Sequence, residues 1–273
     1  MTSQQLEVGV SGAVLHAEQA PGADPAAPAL VFLHAGVSDG RLWQPQWDAF
    51  GRHPRLRYDR RGFGRTRTEA PTPYSRTVDL WAVMDTAGVG RAVLVGCSQG
   101  GRVAVDAALA RPERVAALVL VAPAIHGAPQ PALEGAVKAL DEAIDAAIDA
   151  GRLHDANELE AHLWLDGPLA PRGRVGGAER ALFLAMNAIA LAAPDPGPAA
   201  EEPLAWPRLE ALRLPTLVLW GDLDLPHLQQ RCERLAQRIP GARTARLAGT
   251  AHLPNLEAPA RFNAALAAFL AGL

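Results

Sequence analysis

Continuous apolar runs separated by helix-length segments constrain the fold of this chain more than any other feature. The runs occupy residues 29–33, 92–95, 117–121 and 216–220. Strands buried on both faces have this composition, because helices cover both sides of a parallel sheet. Helix-length segments lie between and after the runs, at residues 77–87, 99–110 and 228–239. The alternation predicts an α/β protein with a doubly wound, mostly parallel sheet.

Two further extended segments frame this pattern. Residues 6–10 and 14–16 are separated by Ser11-Gly12, which predicts a hairpin at the start of the fold. Residues 243–247 form another extended segment, followed by a last helix.

Residues 125–212 interrupt the alternation, since they contain helical patterns and no convincing strand. Apolar residues between 133 and 148 fall at helical spacing, and Gly151 follows as a C-cap. Further helices are predicted at 158–165 and 178–193. We therefore predict a core of residues 1–124 and 213–273, with a helical cap of residues 125–212 inserted after a central strand.

Composition excludes several classes of protein. The 273 residues are 49% hydrophobic and 20% charged, which is typical of a compact globular chain. The net charge of −3 argues against a nucleic-acid partner. Apolar runs fall short of the about 20 residues that span a bilayer, and no signal sequence is evident, so no membrane partner is expected. Cys97 and Cys232 match no metal-ligand spacing. We expect free thiols, a cytoplasmic location, and neither metal nor cofactor.

The segment Gly96-Cys97-Ser98-Gln99-Gly100 carries the strongest chemical signal. It matches G-x-S-x-G, with an apolar strand before it and a helix after it. A sharp strand-to-helix turn exposes the serine oxygen, and glycines are required because side chains would clash there. The pattern predicts Ser98 as a nucleophile. Cys97 is expected to be a small buried hydrophobic residue.

A serine nucleophile needs a base, and the base needs an acid that orients it. After a turn of this kind the acid and then the histidine follow in the chain. His252 is the histidine in the right position, past the extended segment 243–247. Asp222 and Asp224 both lie just past a buried strand, so the residues alone leave the acid open between them.

Acyl transfer also needs donors for the oxyanion of the intermediate. The backbone N–H of Gln99, the residue after the nucleophile, supplies one. The second is expected from the loop that follows the run 29–33, with Ala35 as the predicted donor.

Together these motifs resemble the α/β-hydrolase superfamily, in its esterase, lactonase and haloperoxidase-like branch. The resemblance includes the loop at 34–36 and the turn at 59–66, similar to the family's D-x-R-G-x-G-x-S. It implies that Asp59 and Arg61 hold a turn and take no part in catalysis. The spacing Gly221-x-x-Asp224 favours Asp224 as the acid. Dehalogenases and epoxide hydrolases of this fold use an aspartate nucleophile, so Ser98 argues against both.

By the same resemblance the cap shapes the substrate pocket, with His126 and Trp164 as the predicted pocket residues. The competing interpretation is that apolar cap residues only pack the cap onto the sheet. Asp141, Asp145 and Asp149 recur every four residues, and a solvated acidic face is favoured over a metal stripe.

The sequence therefore predicts a serine hydrolase that cleaves a small carboxylic ester or lactone through an acyl-enzyme on Ser98. Perhydrolysis, acyl transfer and C–C bond hydrolysis by the same three residues remain alternatives. A ligand-binding receptor on a hydrolase fold is a third, disfavoured by the complete set of reactive groups. Natural substrate, acyl chain length, stereoselectivity and homo-oligomer formation are left open.

Overall fold

The computed structural model describes residues 3–273, so Met1 and Thr2 of the predicted core segment 1–124 lie outside the described residues. The chain opens with an antiparallel hairpin of β1 (Gln4–Val10) and β2 (Ala13–Ala20). Gly12 forms its turn with a φ of 70°, a conformation that suits glycine. The predicted hairpin is confirmed.

The remaining strands build one sheet with this hairpin. They are β3 (Ala29–Leu33), β4 (Arg55–Tyr58), β5 (Arg67–Thr68), β6 (Ala92–Cys97), β7 (Val115–Val121), β8 (Thr216–Gly221) and β9 (Arg243–Leu247). The strand order is β1-β2-β4-β3-β6-β7-β8-β9, and β5 pairs with β2. All pairs from β4 to β9 are parallel. The predicted doubly wound, mostly parallel sheet is confirmed.

Strand β4 is absent from the sequence prediction because its residues are not apolar. Arg55 and Arg57 alternate with Leu56 and Tyr58, yet all four side chains are buried. Arg57 is neutralised by Glu18 at 2.6 Å, and its guanidinium lies over the Trp47 ring. An ion pair with a residue distant in the sequence thus allows a charged side chain to be buried in a strand. The local sequence pattern does not reveal such a partner.

Helices cover both faces of the sheet. They are α1 (Gln44–Ala49), α2 (Arg76–Thr86), α3 (Gln99–Ala110), α4 (Gly135–Asp149), α5 (Leu153–Glu160), α6 (Gly177–Ala192), α7 (Pro226–Arg238), α8 (Pro254–Glu257) and α9 (Pro259–Leu270). In β3, Leu30 and Phe32 join one hydrophobic cluster while Val31 and Leu33 join the other. Burial on both faces explains the continuous apolar run.

The segment between β7 and β8 is helical, as expected. The predicted helix at 158–165 begins earlier, as α5, and continues beyond it as a π-helical turn, Ala161–Asp166. Widened turns of this type are frequent at functional sites. One isolated bridge, between Tyr74 and Ala199, ties this segment to the rest of the chain. The division into a core and a cap at residues 125 and 212 stays a prediction.

The acidic residues of α4 face solvent, since Asp145 and Asp149 are both exposed. Among residues 3–273, no helix combines the length and the apolar composition needed to cross a membrane.

The strand order places a branch point of the chain at the carboxyl ends of β3 and β6, which are neighbours in the sheet. The chain leaves β3 toward β4 on one side and later enters β6 on the other. Loops therefore diverge at the carboxyl ends of β3 and β6, and sheets of this type form their ligand sites at such a point.

Candidate active site

Ser98 occupies a strained turn between β6 and α3. Its φ of 50° and ψ of −115° lie in a region that non-glycine residues rarely adopt. The turn is held because the Ser98 N–H donates to the Val121 carbonyl at 2.9 Å, and the Ala124 N–H donates to the Ser98 carbonyl at 2.9 Å.

The flanking glycines allow this turn to form. A Cβ on Gly96 would lie 2.5 Å from the Gly100 carbonyl oxygen. A Cβ on Gly100 would lie 2.7 Å from the His34 carbonyl oxygen, so α3 begins in direct backbone contact with the end of β3. Both distances are too short for any side chain, which explains the glycines of the motif.

His252 and Asp224 form a buried hydrogen-bonded pair. His252 Nδ1 lies 2.8 Å from Asp224 Oδ2, and the two side chains are 2% and 1% exposed. The other carboxylate oxygen, Oδ1, accepts from the Leu225 N–H at 2.7 Å. A carboxylate in this position orients the imidazole with its proton on Nδ1 and leaves Nε2 as an acceptor.

Asp222, the alternative acid, lies elsewhere. Its Oδ1 accepts from the Gly249 N–H at 2.6 Å, and Oδ2 lies 3.5 Å from Arg246. The structure therefore brings Asp224, and not Asp222, to the histidine.

One cavity of about 360 Å³ joins the predicted reactive residues. Ser98, Gln99, Trp164 and His252 all line it. Volumes of this order suit a small organic ligand. Side chains that are far apart in the sequence thus line the same cavity.

Trp164 contacts the histidine directly. Its ring centroid lies 4.7 Å from that of His252, and its carbonyl oxygen accepts from the His252 N–H at 3.2 Å. It lies in the π-helical turn, which brings the cap segment against the reactive residues. Trp164 is therefore a wall of the pocket as well as a packing residue.

His126, the other predicted pocket residue, does not line this cavity. Ala122 and Ala124, at the end of β7, do so, and the chain then turns away at Gly127, whose φ is 78°. The His126 carbonyl accepts from the N–H groups of residues 205 and 206, at 3.1 and 2.9 Å. His126 thus anchors the segment that returns toward β8, and the pocket assignment is corrected.

The loop after β3 also differs from expectation. Ala35 is fully buried and is not on the cavity wall, whereas Gly36 lines it. The Ala35 carbonyl oxygen accepts from Arg60 Nη2 at 3.0 Å and lies 2.7 Å from His34 Nδ1. The turn thus directs Ala35 into the protein, while its neighbours Gly36 and Val37 line the cavity. Gln99 lines the cavity, and its role as an oxyanion donor stays a prediction.

His34 and Arg60 support this loop and were not singled out from the sequence. The Arg60 N–H donates to His34 Nε2 at 3.0 Å, and Arg60 Nη1 donates to Gln99 Oε1 at 3.0 Å. Burial and the neighbouring Arg60 hold the pKa of His34 well below its usual value, so this imidazole is neutral. Burial also lowers the pKa of Arg60 to about 10, which leaves it charged at neutral pH.

The turn at 59–66 has the structural contacts that the resemblance implied. Asp59 accepts from the N–H groups of Gly40 at 2.7 Å and Arg65 at 2.8 Å, and burial raises its pKa to about 6. Arg61 pairs with Asp79 at 2.8 Å. Asp59 thus holds the turn through two backbone N–H groups, and Arg61 ties it to helix α2.

Four polar residues on the cavity wall escaped the sequence analysis: Gln130, Glu160, His227 and Arg231. His227 and Arg231 are four residues apart on α7, so they share one helix face. Burial raises the pKa of Glu160 and lowers that of His227. The available signal was the position of α7, which begins two residues after Asp224.

Comparison with known proteins agrees with this architecture. Residues 30–265 match the family model described as the alpha/beta hydrolase family. The chain therefore belongs to the alpha/beta hydrolase family.

Individual relatives support the family assignment. The enol-lactonase from Burkholderia xenovorans LB400 is 28% identical, with a TM-score of 0.71, covering 98% of this chain and all of that one. Carboxylesterase YbfK of Bacillus subtilis is 26% identical over 264 residues, covering 90% of this chain and 81% of YbfK. Lipase LipV of Mycobacterium tuberculosis is 37% identical over 139 residues. The chain spans about half the length of LipV, and less of several other curated relatives.

Proposed function

We propose that this protein is a serine hydrolase that cleaves a small carboxylic ester or lactone through an acyl-enzyme on Ser98. The observation that carries the proposal is the buried His252–Asp224 hydrogen bond of 2.8 Å beside a cavity that Ser98 also lines. The relatives' names, carboxylesterase, lipase and enol-lactonase, support an ester or lactone substrate.

The first half of the reaction forms the acyl-enzyme. His252 Nε2 takes the proton of the Ser98 hydroxyl while Ser98 Oγ attacks the substrate carbonyl carbon. The Asp224 carboxylate stabilises the imidazolium that forms. The protonated histidine then gives its proton to the leaving alcohol as the tetrahedral intermediate collapses.

The second half releases the acid. A water molecule loses its proton to His252 and attacks the acyl carbonyl, and Ser98 regains its proton when the carboxylic acid leaves. In both halves the oxyanion is held by backbone N–H groups. Gln99 supplies one, and Gly36 replaces Ala35 as the proposed second donor because Gly36 lines the cavity.

The proposal is tested by p-nitrophenol release from short-chain p-nitrophenyl esters and by ring opening of a small lactone. Wild-type protein, Ser98→Ala and the exposed-turn control Ser11→Ala are assayed together. We expect turnover by wild type and Ser11→Ala and its loss in Ser98→Ala. Equal turnover by Ser98→Ala would remove Ser98 from the mechanism. Adding hydrogen peroxide or an alcohol measures whether water is the preferred acyl acceptor.

A cytoplasmic location is part of the proposal. Its support is that Cys97 and Cys232 are both free and buried, as is common in reducing compartments. Fractionation of the source cells tests it, and recovery in an extracytoplasmic fraction would contradict it.

A further inference from the structure

Arg231 is a buried cation on the wall of the active-site cavity. It lies on α7, is 6% exposed, and lines the same space as Ser98 and His252. Among the residues that the structure describes, its Nη2 reaches two acceptors, both neutral: the Pro129 carbonyl at 3.4 Å and Gln130 Oε1 at 3.3 Å. Both contacts are long for hydrogen bonds to a guanidinium. Across residues 3–273, no carboxylate forms an ion pair with Arg231.

The other buried arginines have either an acidic partner or close neutral acceptors: Arg55 donates to the Trp47 carbonyl, and Arg60 donates to Gln99 Oε1 and the Ala35 carbonyl, both at 3.0 Å. Arg57 pairs with Glu18 at 2.6 Å, and Arg61 pairs with Asp79 at 2.8 Å. A buried charge without an ion-pair partner is costly because it loses hydration, and for Arg231 the attraction of the Asp224 carboxylate offsets only part of that cost. Burial accordingly lowers the pKa of Arg231. Residues held at such a cost inside a cleft are candidates for ligand binding.

The other polar groups that line the cavity do not neutralise Arg231, so its guanidinium can bind a ligand. The Glu160 carboxylate accepts from Asn187 Nδ2 and makes no ion pair with Arg231 within the described chain. Burial raises the pKa of Glu160, so this group accepts a proton more readily than an exposed glutamate when another anion binds nearby. His227 lies one helical turn before Arg231, and burial lowers its pKa, which favours the neutral imidazole.

We propose that Arg231 binds a carboxylate carried by the ester or lactone substrate. The inference rests on the proposed function, since it assigns a second group of the molecule whose carbonyl Ser98 attacks. The planar guanidinium matches the two oxygens of a carboxylate and supplies donors that the protein does not use. The substrate class is then a monoester of a small dicarboxylic acid, an ester of a hydroxy acid, or a lactone with a free carboxylate.

Two pairs of esters that differ only in a terminal group test this directly. Methyl pentanoate and monomethyl glutarate place a methyl group or a carboxylate on the acyl part. Pentyl acetate and 5-acetoxypentanoate do so on the alcohol part. Release of methanol or acetate gives kcat/KM for all four. We expect wild type to prefer the charged member of at least one pair by about 10- to 100-fold, the range of a charge-assisted hydrogen bond.

Variants assign that preference to Arg231. Arg231→Gln is expected to abolish it while hydrolysis of the neutral esters continues, and Arg231→Lys to retain part of it. Arg234→Gln, on the exposed face of the same helix, is the matched control and should behave as wild type. Circular dichroism and thermal unfolding verify that each variant is folded. A preference that is unchanged in Arg231→Gln, or missing from wild type in both pairs, would overturn the proposal and leave the esterase function standing.

Binding separates this proposal from the proposed function. Glutarate is titrated calorimetrically into Ser98→Ala and into the double variant Ser98→Ala, Arg231→Gln. We expect binding to the first and at least tenfold weaker binding to the second. Should no ester be hydrolysed while this difference is found, the hydrolase function fails and the carboxylate site stands. Equal binding to the two proteins counts against the carboxylate site itself.

Discussion

Replacing Asp224 by asparagine tests the reactive centre with a minimal change of shape. In the native protein Oδ1 accepts from the Leu225 N–H at 2.7 Å, while Oδ2 lies 2.8 Å from His252 Nδ1. In Asp224→Asn the amide oxygen takes the position facing Leu225, because only an oxygen can accept there. The amide nitrogen then faces His252 and donates to Nδ1. The imidazole proton moves to Nε2, so the histidine presents no acceptor to Ser98.

The size of this effect follows from the burial of the pair. Both side chains are at most 2% exposed, so water cannot replace the lost carboxylate. Removing one member of a buried charge pair costs about 3 to 5 kcal/mol. This cost falls on the imidazolium that forms in the transition state, and at about 1.4 kcal/mol per tenfold it lowers kcat by about 10²- to 10⁴-fold.

The assay is steady-state hydrolysis of p-nitrophenyl acetate, with thermal unfolding as a check that the variant is folded. Asp222→Asn is the control, because Asp222 contacts Gly249 and Arg246 instead of the histidine. It should retain kcat within about threefold of wild type, since surface pairs contribute little. A folded Asp224→Asn protein that keeps more than about a tenth of wild-type kcat would refute the reasoning, since even the smallest expected loss is about 100-fold.

Three further predictions concern the framework. Gly100→Ala should lower the free energy of unfolding by at least about 2 kcal/mol in denaturant titration, because its Cβ meets the backbone at the end of β3; Gly90→Ala, with open space around it, should change it little. Burial raises the pKa of Asp106 to about 6, so the folded state holds this proton more tightly than the unfolded state. The stabilising contribution is complete below about pH 4 and is lost as pH rises through 6. Asp106→Asn should therefore gain up to about 3 kcal/mol of stability relative to wild type between pH 4 and pH 8, measured by calorimetry; a constant difference would contradict this. Burial raises the pKa of both Cys97 and Cys232, so native protein should not react with a thiol reagent at pH 8, whereas unfolded protein should show both thiols.

The sequence was sufficient for the parts of the fold that depend on local pattern. Apolar runs located β3, β6, β7 and β8, because strands buried on both faces need such residues whatever their neighbours. The turn at Ser98 was recognisable because its geometry requires small residues at Gly96 and Gly100. Strand β4 was missed because the partner that neutralises Arg57 is Glu18, 39 positions earlier in the chain.

Residues whose roles depend on long-range geometry could not be found this way. An arginine on an amphipathic helix usually lies in solvent, and only the packing of α7 against the cavity buries Arg231. His126 follows a central strand, as pocket residues often do, but the direction of the next turn decides where it faces. The same reasoning separates Ala35, which is fully buried, from its neighbour Gly36, which lines the cavity. Local sequence thus predicts which loops lie near the active site, whereas tertiary packing determines which residues of those loops line the cavity.

Covalent labelling of Ser98 tests the central claim most directly. A fluorophosphonate reacts with a serine only where a base removes its proton and donors hold the new oxyanion, so it reports the complete reactive centre. Wild type, Asp222→Asn and His252→Ala are incubated with the reagent, and the modified residue is located by peptide mass spectrometry. We predict one equivalent of label on Ser98 in wild type and in Asp222→Asn, with labelling of His252→Ala slowed by orders of magnitude. Absence of label from Ser98 in folded wild-type protein, or labelling that is as fast without His252, would contradict the account.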